Sequence, residues 1–94
     1  MPSNSELEVA EVQAVRLRGF TVLRIKTRSG IEGHGECGPA TPEDLAFIRT
    51  QMAGKPATAY EIIGQALAAR PALRAAADMA LLDIIGKAAK APVY

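Results

Sequence analysis

Between Val22 and Thr27, Leu23 and Ile25 alternate with Arg24 and Lys26, the spacing of a strand with one face in the core and one in water. Ser29-Gly30 supplies a turn. Ile31 to Cys37 then alternates again, with Ile31, Gly33, Gly35 and Cys37 on one side and Glu32, His34 and Glu36 on the other. The two runs predict a hairpin. Upstream, Leu7 to Leu17 is apolar enough for a third strand, but its alternation slips near Ala10 and again near Ala14, so it admits a helix as well.

From Thr41 onward the pattern turns helical. Thr41 suits an N-cap, Pro42 suits the first helical position, and Glu43 and Asp44 favour the positive end of the helix dipole. This first helix is expected to reach about Met52, with Gly54 ending it and Pro56 preventing its resumption. Thr58 and Glu61 have the spacing of a capping box for a second helix ending near Ala69, and Arg70-Pro71 breaks the chain. Pro71 opens a third helix to about Lys90, in which Leu73, Ala77, Ala80, Leu81, Ile84 and Ala88 form one apolar stripe. Lys87 and Lys90 complement its negative end, and Pro92 stops it. Strands followed by helices, without β-α-β alternation, predict an α+β fold: a three-stranded antiparallel meander followed by a three-helix bundle.

At 94 residues, 1–94 reads as a single domain with room for one small core. Hydrophobic residues make up 49%, but with two Phe, two Tyr and no Trp, large anchoring side chains are scarce. Eleven basic residues nearly balance ten acidic ones without long runs of either sign, which argues against nucleic acid as a partner. No apolar run approaches the length of a membrane span, and the N-terminus lacks the order of a signal peptide. Cys37 is the one cysteine, which excludes an internal disulfide and fits a reducing, cytoplasmic setting.

Candidate chemistry is sparse. His34 and Glu36 share a strand face and could be imagined as an acid–base couple, but nothing else in the chain is placed to converge on them. Cys37, beside Gly38-Pro39, lacks a second histidine to assemble a nucleophilic pair and reads as an inert thiol. Gly33 and Gly35 leave room for another element to approach their strand face, and Ala76, Ala77 and Ala80 do the same for a helix. Gly86 costs about 1 kcal/mol relative to alanine inside a helix, so a close contact is expected to compensate. Asp83 and Lys87, four apart, are placed to pair.

Two stretches resemble a known family. Leu23-Arg24-Ile25-Lys26-Thr27-Arg28-Ser29-Gly30-Ile31-Glu32-Gly33-His34-Gly35-Glu36 is similar to the strand, turn and Gly-x-Gly-Glu strand of the N-terminal domain of the mandelate racemase/muconate lactonizing enzymes, in the enolase superfamily. Ala76 to Lys87, followed by Ala91-Pro92-Val93-Tyr94, resembles that family's Ala-x-x-x-Ala-Leu-x-Asp helix, Gly-Lys, and lead-in to a barrel. The resemblance implies a non-catalytic domain that covers the mouth of a modified (β/α)-barrel. In the family the barrel holds Mg²⁺ on carboxylates and carries the base that removes a proton alpha to a substrate carboxylate, giving isomerases and lyases. Neither a metal-ligand set nor a Lys-x-Lys base motif occurs in these 94 residues, so no catalytic residue, metal ligand or cofactor is assigned within them, and Mg²⁺ is expected in a parent enzyme.

The resemblance also implies two substrate-facing loops. The first, between the first two strands, is reduced to Arg18-Gly19 where many members carry a long flap. The second follows the third strand at Cys37, Gly38, Pro39 and Ala40. The expected partners are the barrel of a parent enzyme or a neighbouring subunit in a homo-oligomer. A rival reading is a stand-alone interaction module of the same fold, binding a second chain through an exposed apolar face. Met79, Leu82 and Ile85 lie off the main stripe of the third helix and are expected to be exposed.

Overall fold

The computed structural model describes residues 6–90, which form an antiparallel sheet in the order β1-β2-β3 followed by helices. The strands are β1 (Val9–Leu17), β2 (Phe20–Thr27) and β3 (Glu32–Cys37). The helices are α1 (Pro42–Met52), α2 (Tyr60–Ala66) and α3 (Pro71–Lys90), with a 3₁₀ turn at Ala57–Ala59 before α2. The α+β meander with three helices matches the expected class. The stop expected at Pro92 and the Ala91-Pro92-Val93-Tyr94 lead-in lie outside the described residues.

The open reading of Leu7 to Leu17 resolves to a strand carrying a bulge. Val9 pairs with Thr27 and Glu11 with Lys26, so Ala10 is the extra residue on β1. Val9 and Val12 therefore both reach the core although three positions separate them. Beyond the bulge the register runs regularly to Leu17 opposite Phe20, which carries Val15 and Leu17 to the outer face.

The core lies between the inner face of the sheet and the helices. Leu23 and Ile25 of β2 meet Ile48 and Met52 of α1, Ile63 of α2, and the α3 stripe of Ala77, Ala80, Leu81, Ile84 and Ala88, all buried. Helix α3 crosses β3 where the strand has no side chains on its inner face: a Cβ built on Gly33 would overlap the carbonyl of Ala80, and one on Gly35 that of Ala76. The two glycines and the small α3 residues thus set the helix–sheet distance together. Gly86 differs from its expectation. Apart from its own chain neighbours and helix backbone, no atom of the described residues stands within 4 Å of where its Cβ would be, so close packing does not compensate its helical cost.

Helix α1 begins as its sequence suggests. The Thr41 hydroxyl accepts the Asp44 N–H at 3.1 Å and the Asp44 carboxylate accepts the Thr41 N–H at 3.0 Å, a full capping box. Arg70, just ahead of α3, donates to Asp44 at 2.6 Å with its guanidinium carbon 4.2 Å from the Phe47 ring centre, tying the two helices together.

Helix α2 departs from the expected Thr58 start. The N-cap is Ala59, and the preceding residues are recruited by the sheet: Val9 donates to the carbonyl of Lys55, and Ala57 to that of Leu7, each at 2.9 Å. That pairing holds Pro56 extended and delays the helix until Tyr60. The helix also ends early, at Ala66, where the Leu67 N–H is shared between the carbonyls of Ile63 and Gly64.

Candidate functional site

The sheet end that carries the β1–β2 turn also carries the exit from β3. Arg18 and Gly19 alone separate Leu17 from Phe20, which pair directly, and Gly19 takes φ +82°, a conformation open to glycine at little cost. On the inner face Arg16 lies opposite Thr21, and Thr21 opposite Cys37, so one row crosses all three strands. Beyond that row Gly38, Pro39 and Ala40 lead into α1.

Together these segments enclose a recess of about 180 Å³. Its walls are Arg16, Leu17, Gly19, Phe20 and Thr21 of the hairpin, and Pro39 and Ala40 of the second loop. Two loops separated by some twenty residues of sequence thus meet at one place. The sequence-selected residues divide: Gly19, Pro39 and Ala40 line the recess, whereas Arg18, Cys37 and Gly38 adjoin it without lining it. Arg16, Leu17, Phe20 and Thr21 also line it, and the sequence analysis does not single them out. The signal was available in the two-residue turn, because a hairpin that pairs Leu17 with Phe20 must set Arg16 opposite Thr21.

Cys37 is half-buried at the end of β3 and packs against the core. Burial pushes its thiol pKa up, and the Asp44 carboxylate adds to the effect, so the thiol stays protonated at neutral pH and is a poor nucleophile. His34 and Glu36 stand exposed on the outer face. The neighbouring Glu32 is already taken by Arg24 at 2.9 Å, which holds its carboxyl below the usual value.

Two larger hollows lie elsewhere. One, of about 360 Å³, sits between the β1 bulge and α1, where Arg49 donates to the carbonyl of Val12 at 2.9 Å. The other, of about 340 Å³, lies between α2 and α3 around Tyr60, Glu61 and Gln65, with Arg74 facing Asp78 at 3.9 Å. In the first, the Arg49 contact ties α1 to β1.

The profile described as mandelate racemase/muconate lactonizing enzyme, N-terminal domain, matches residues 5–94. The chain belongs to this family. No curated protein sequence matches the chain closely enough to count as a relative. In this chain Gly33, Gly35, Ala76 and Ala80 make the helix–sheet contact described above, so their role is packing. Among the described residues no group of three or more His, Cys, Asp or Glu side chains is placed to hold a metal ion, and no helix is long and apolar enough to cross a membrane. Glu32, Asp44, Asp78 and Asp83 face basic partners instead. These residues do not fit the Mg²⁺ centre that the family implies.

Proposed function

We propose that the chain is a capping domain: it places the β1–β2 turn and the Gly38-Pro39-Ala40 loop over the mouth of a barrel that performs Mg²⁺-assisted proton abstraction alpha to a carboxylate. The observation that carries this reading is the convergence of Gly19, Pro39 and Ala40 on one recess at one end of the sheet. A lid must present its ligand-facing loops together, on a rigid base, and exclude water when it closes. Here the base is the sheet with α3 packed on it, and both loops are short. The family match supports the same assignment. The chain's part is to bind and enclose; proton transfer and metal binding belong to the barrel.

The partner surface in this reading is apolar. Met79 and Leu82 on α3 are about half exposed, at 51% and 49%, and Ile62 on α2 is 61% exposed. Apolar positions of that kind mark interfaces when they adjoin one another. The same residues favour the rival reading, an interaction module that binds a second chain without any barrel.

The test is to read the gene beyond the codon for Tyr94 and, where the frame continues into a barrel, to express the two parts separately and mix them. A capping domain is expected to bind the barrel and restore Mg²⁺-dependent exchange of a substrate's alpha proton for deuterium, with an increase in KM when Pro39 and Ala40 are replaced by Gly. A stop codon directly after Tyr94, or exchange by the barrel that the chain does not alter, overturns the reading.

A further inference from the structure

An edge strand can pair with another chain unless something closes it. On β3 the closure comes from α3, where Asp83 accepts the His34 N–H and Lys87 donates to the Glu32 carbonyl. The first part of β1 is closed as well: Val9 donates to the Lys55 carbonyl, and Arg49 donates to the carbonyl of Val12. The Arg49 contact also shows that Val12 turns its peptide groups toward the free edge. In an antiparallel strand that direction alternates, so Ala14 and Arg16 turn theirs to the same edge. No hydrogen bond from outside the sheet reaches those outward groups among the described residues. Val15 and Leu17, which alternate with them, are 46% and 47% exposed and lie opposite Val22 and Phe20 on the outer face.

We propose that residues 14–17 of β1 are a self-association edge, at which a second copy of this chain pairs antiparallel and joins the two sheets into one. The occupied part of the edge fixes the register. Outward-turned residues must face one another to exchange bonds, and pairing Ala14 with Ala14 would set Arg16 against Val12, across which Arg49 already lies. The register that avoids Arg49 sets Ala14 of each copy opposite Arg16 of the other, and each such pair exchanges both of its N–H···O=C bonds. Val15 then meets its own copy at the two-fold axis in a non-hydrogen-bonded pair, where side chains approach most closely. The exposed patch of Val15, Leu17, Val22 and Phe20 becomes continuous with its copy across that axis, as an isologous contact requires. Charge favours the same occupant. Arg18 and Glu11 have no ion pair among the described residues, and this register brings the Arg18 turn of one copy beside Glu11 of the other, where the hollow next to the β1 bulge leaves room. So short a contact buries less than the roughly 1,200 Å² of a stable interface, and the expected dimer is weak, with Kd on the order of 0.1–1 mM.

The experiment combines sedimentation velocity of the full chain, over concentrations that span the expected Kd, with oxidative cross-linking. In a Cys37→Ser background, Val15→Cys is expected to form a disulfide-linked dimer in oxidised glutathione, because Cα atoms of a non-hydrogen-bonded pair stand about 4.5 Å apart, within disulfide reach. Gln13→Cys, displaced along the strand from its own copy, is expected not to. Ala14→Pro removes an outward N–H and spares the β1–β2 ladder, and Val15→Lys sets like charges at the axis. Each is expected to weaken association at least about tenfold. Glu36→Gln, an equal change in net charge on the far strand, leaves it unchanged. Thermal melts followed by circular dichroism confirm that each variant folds, and the cross-link reports the register independently of the two weakening variants. A chain that stays monomeric throughout, with no cross-link at Val15→Cys, overturns the proposal. A dimer that survives both Ala14→Pro and Val15→Lys overturns it as well, as does cross-linking of Gln13→Cys at the rate of Val15→Cys.

Discussion

Asp83 on α3 accepts the backbone N–H of His34 on β3 at 3.2 Å, and Lys87, one turn later, donates to the backbone carbonyl of Glu32 at 2.7 Å. The two side chains also pair with each other at 3.2 Å. An i,i+4 pair that could have been no more than a helix-surface contact instead closes part of the free edge of the sheet, since β3 is an edge strand and His34 and Glu32 carry outward-pointing backbone groups. Asp83→Ala is expected to destabilise the fold by about 1 kcal/mol, the usual worth of a hydrogen bond to a charged group reduced for its exposure. It is also expected to speed amide exchange at His34, read by hydrogen–deuterium exchange. Unchanged exchange at His34 would show that the edge contact does not form in solution.

Gly35→Ala and Gly33→Ala are expected to be among the most damaging single changes. The added methyl meets backbone carbonyls of Ala76 or Ala80 rather than a flexible side chain, so α3 must move away from the sheet. Overpacking of this kind costs typically about 1–3 kcal/mol, and the upper end applies where backbone must shift. Gly38→Ala, with nothing within 4 Å of the new methyl, serves as the control. Denaturant midpoints for the three variants decide the matter, and a near-neutral Gly35→Ala would contradict the close approach.

Gly86→Ala should stabilise. The residue lies inside α3 with open space around its would-be Cβ, so the substitution recovers helix propensity without a clash. The expected gain is about 0.5–1 kcal/mol in chemical denaturation. A loss would reveal a partner that needs the bare backbone at that position.

Acid should weaken the fold through Asp44. The Thr41 backbone N–H holds the Asp44 carboxyl below its ordinary value; burial opposes this, while the Thr41 hydroxyl and Arg70 reinforce it. A carboxyl whose pKa is lower in the folded than in the unfolded chain contributes stability that is complete above the unfolded value, about 3.9, and is lost as pH falls through the folded value. Unfolding free energy should therefore fall as pH is lowered from about 5, and Asp44→Asn should flatten that dependence. Parallel pH profiles for the two proteins would exclude Asp44 as a contributor.

The exposed faces of α3 can be separated by mutation. Leu82 and Met79 are half exposed, whereas Ile85, grouped with them from the sequence, is partly buried against the core. Leu82→Glu should change the chain's own stability by less than about 0.5 kcal/mol while reducing any self-association or barrel docking, and Ile85→Lys should unfold it readily. Sedimentation and thermal melts of the two variants distinguish these outcomes. A strongly destabilised Leu82→Glu chain would place that residue in the core.

What the sequence by itself determined were the features that follow from local chemistry. The alternation of Val22 to Thr27 with Ile31 to Cys37 specified a hairpin, Thr41-Pro42 specified the start of α1, and the stripe from Leu73 to Ala88 specified the buried side of α3. Each depends on residues within a turn or two of one another, and the structure bears each out. Where distant segments compete, local chemistry was not enough. The Thr58 start was displaced to Tyr60 because Lys55 to Ala57 pair with the start of β1. The slip at Ala10 became a bulge because both Val9 and Val12 gain by burial, and a bulge satisfies both at the expense of one unpaired residue. The recess needed the tertiary structure most. Gly19 and Pro39 are far apart in sequence and carry no shared pattern, and only the antiparallel return of β2 and β3 sets their turns side by side.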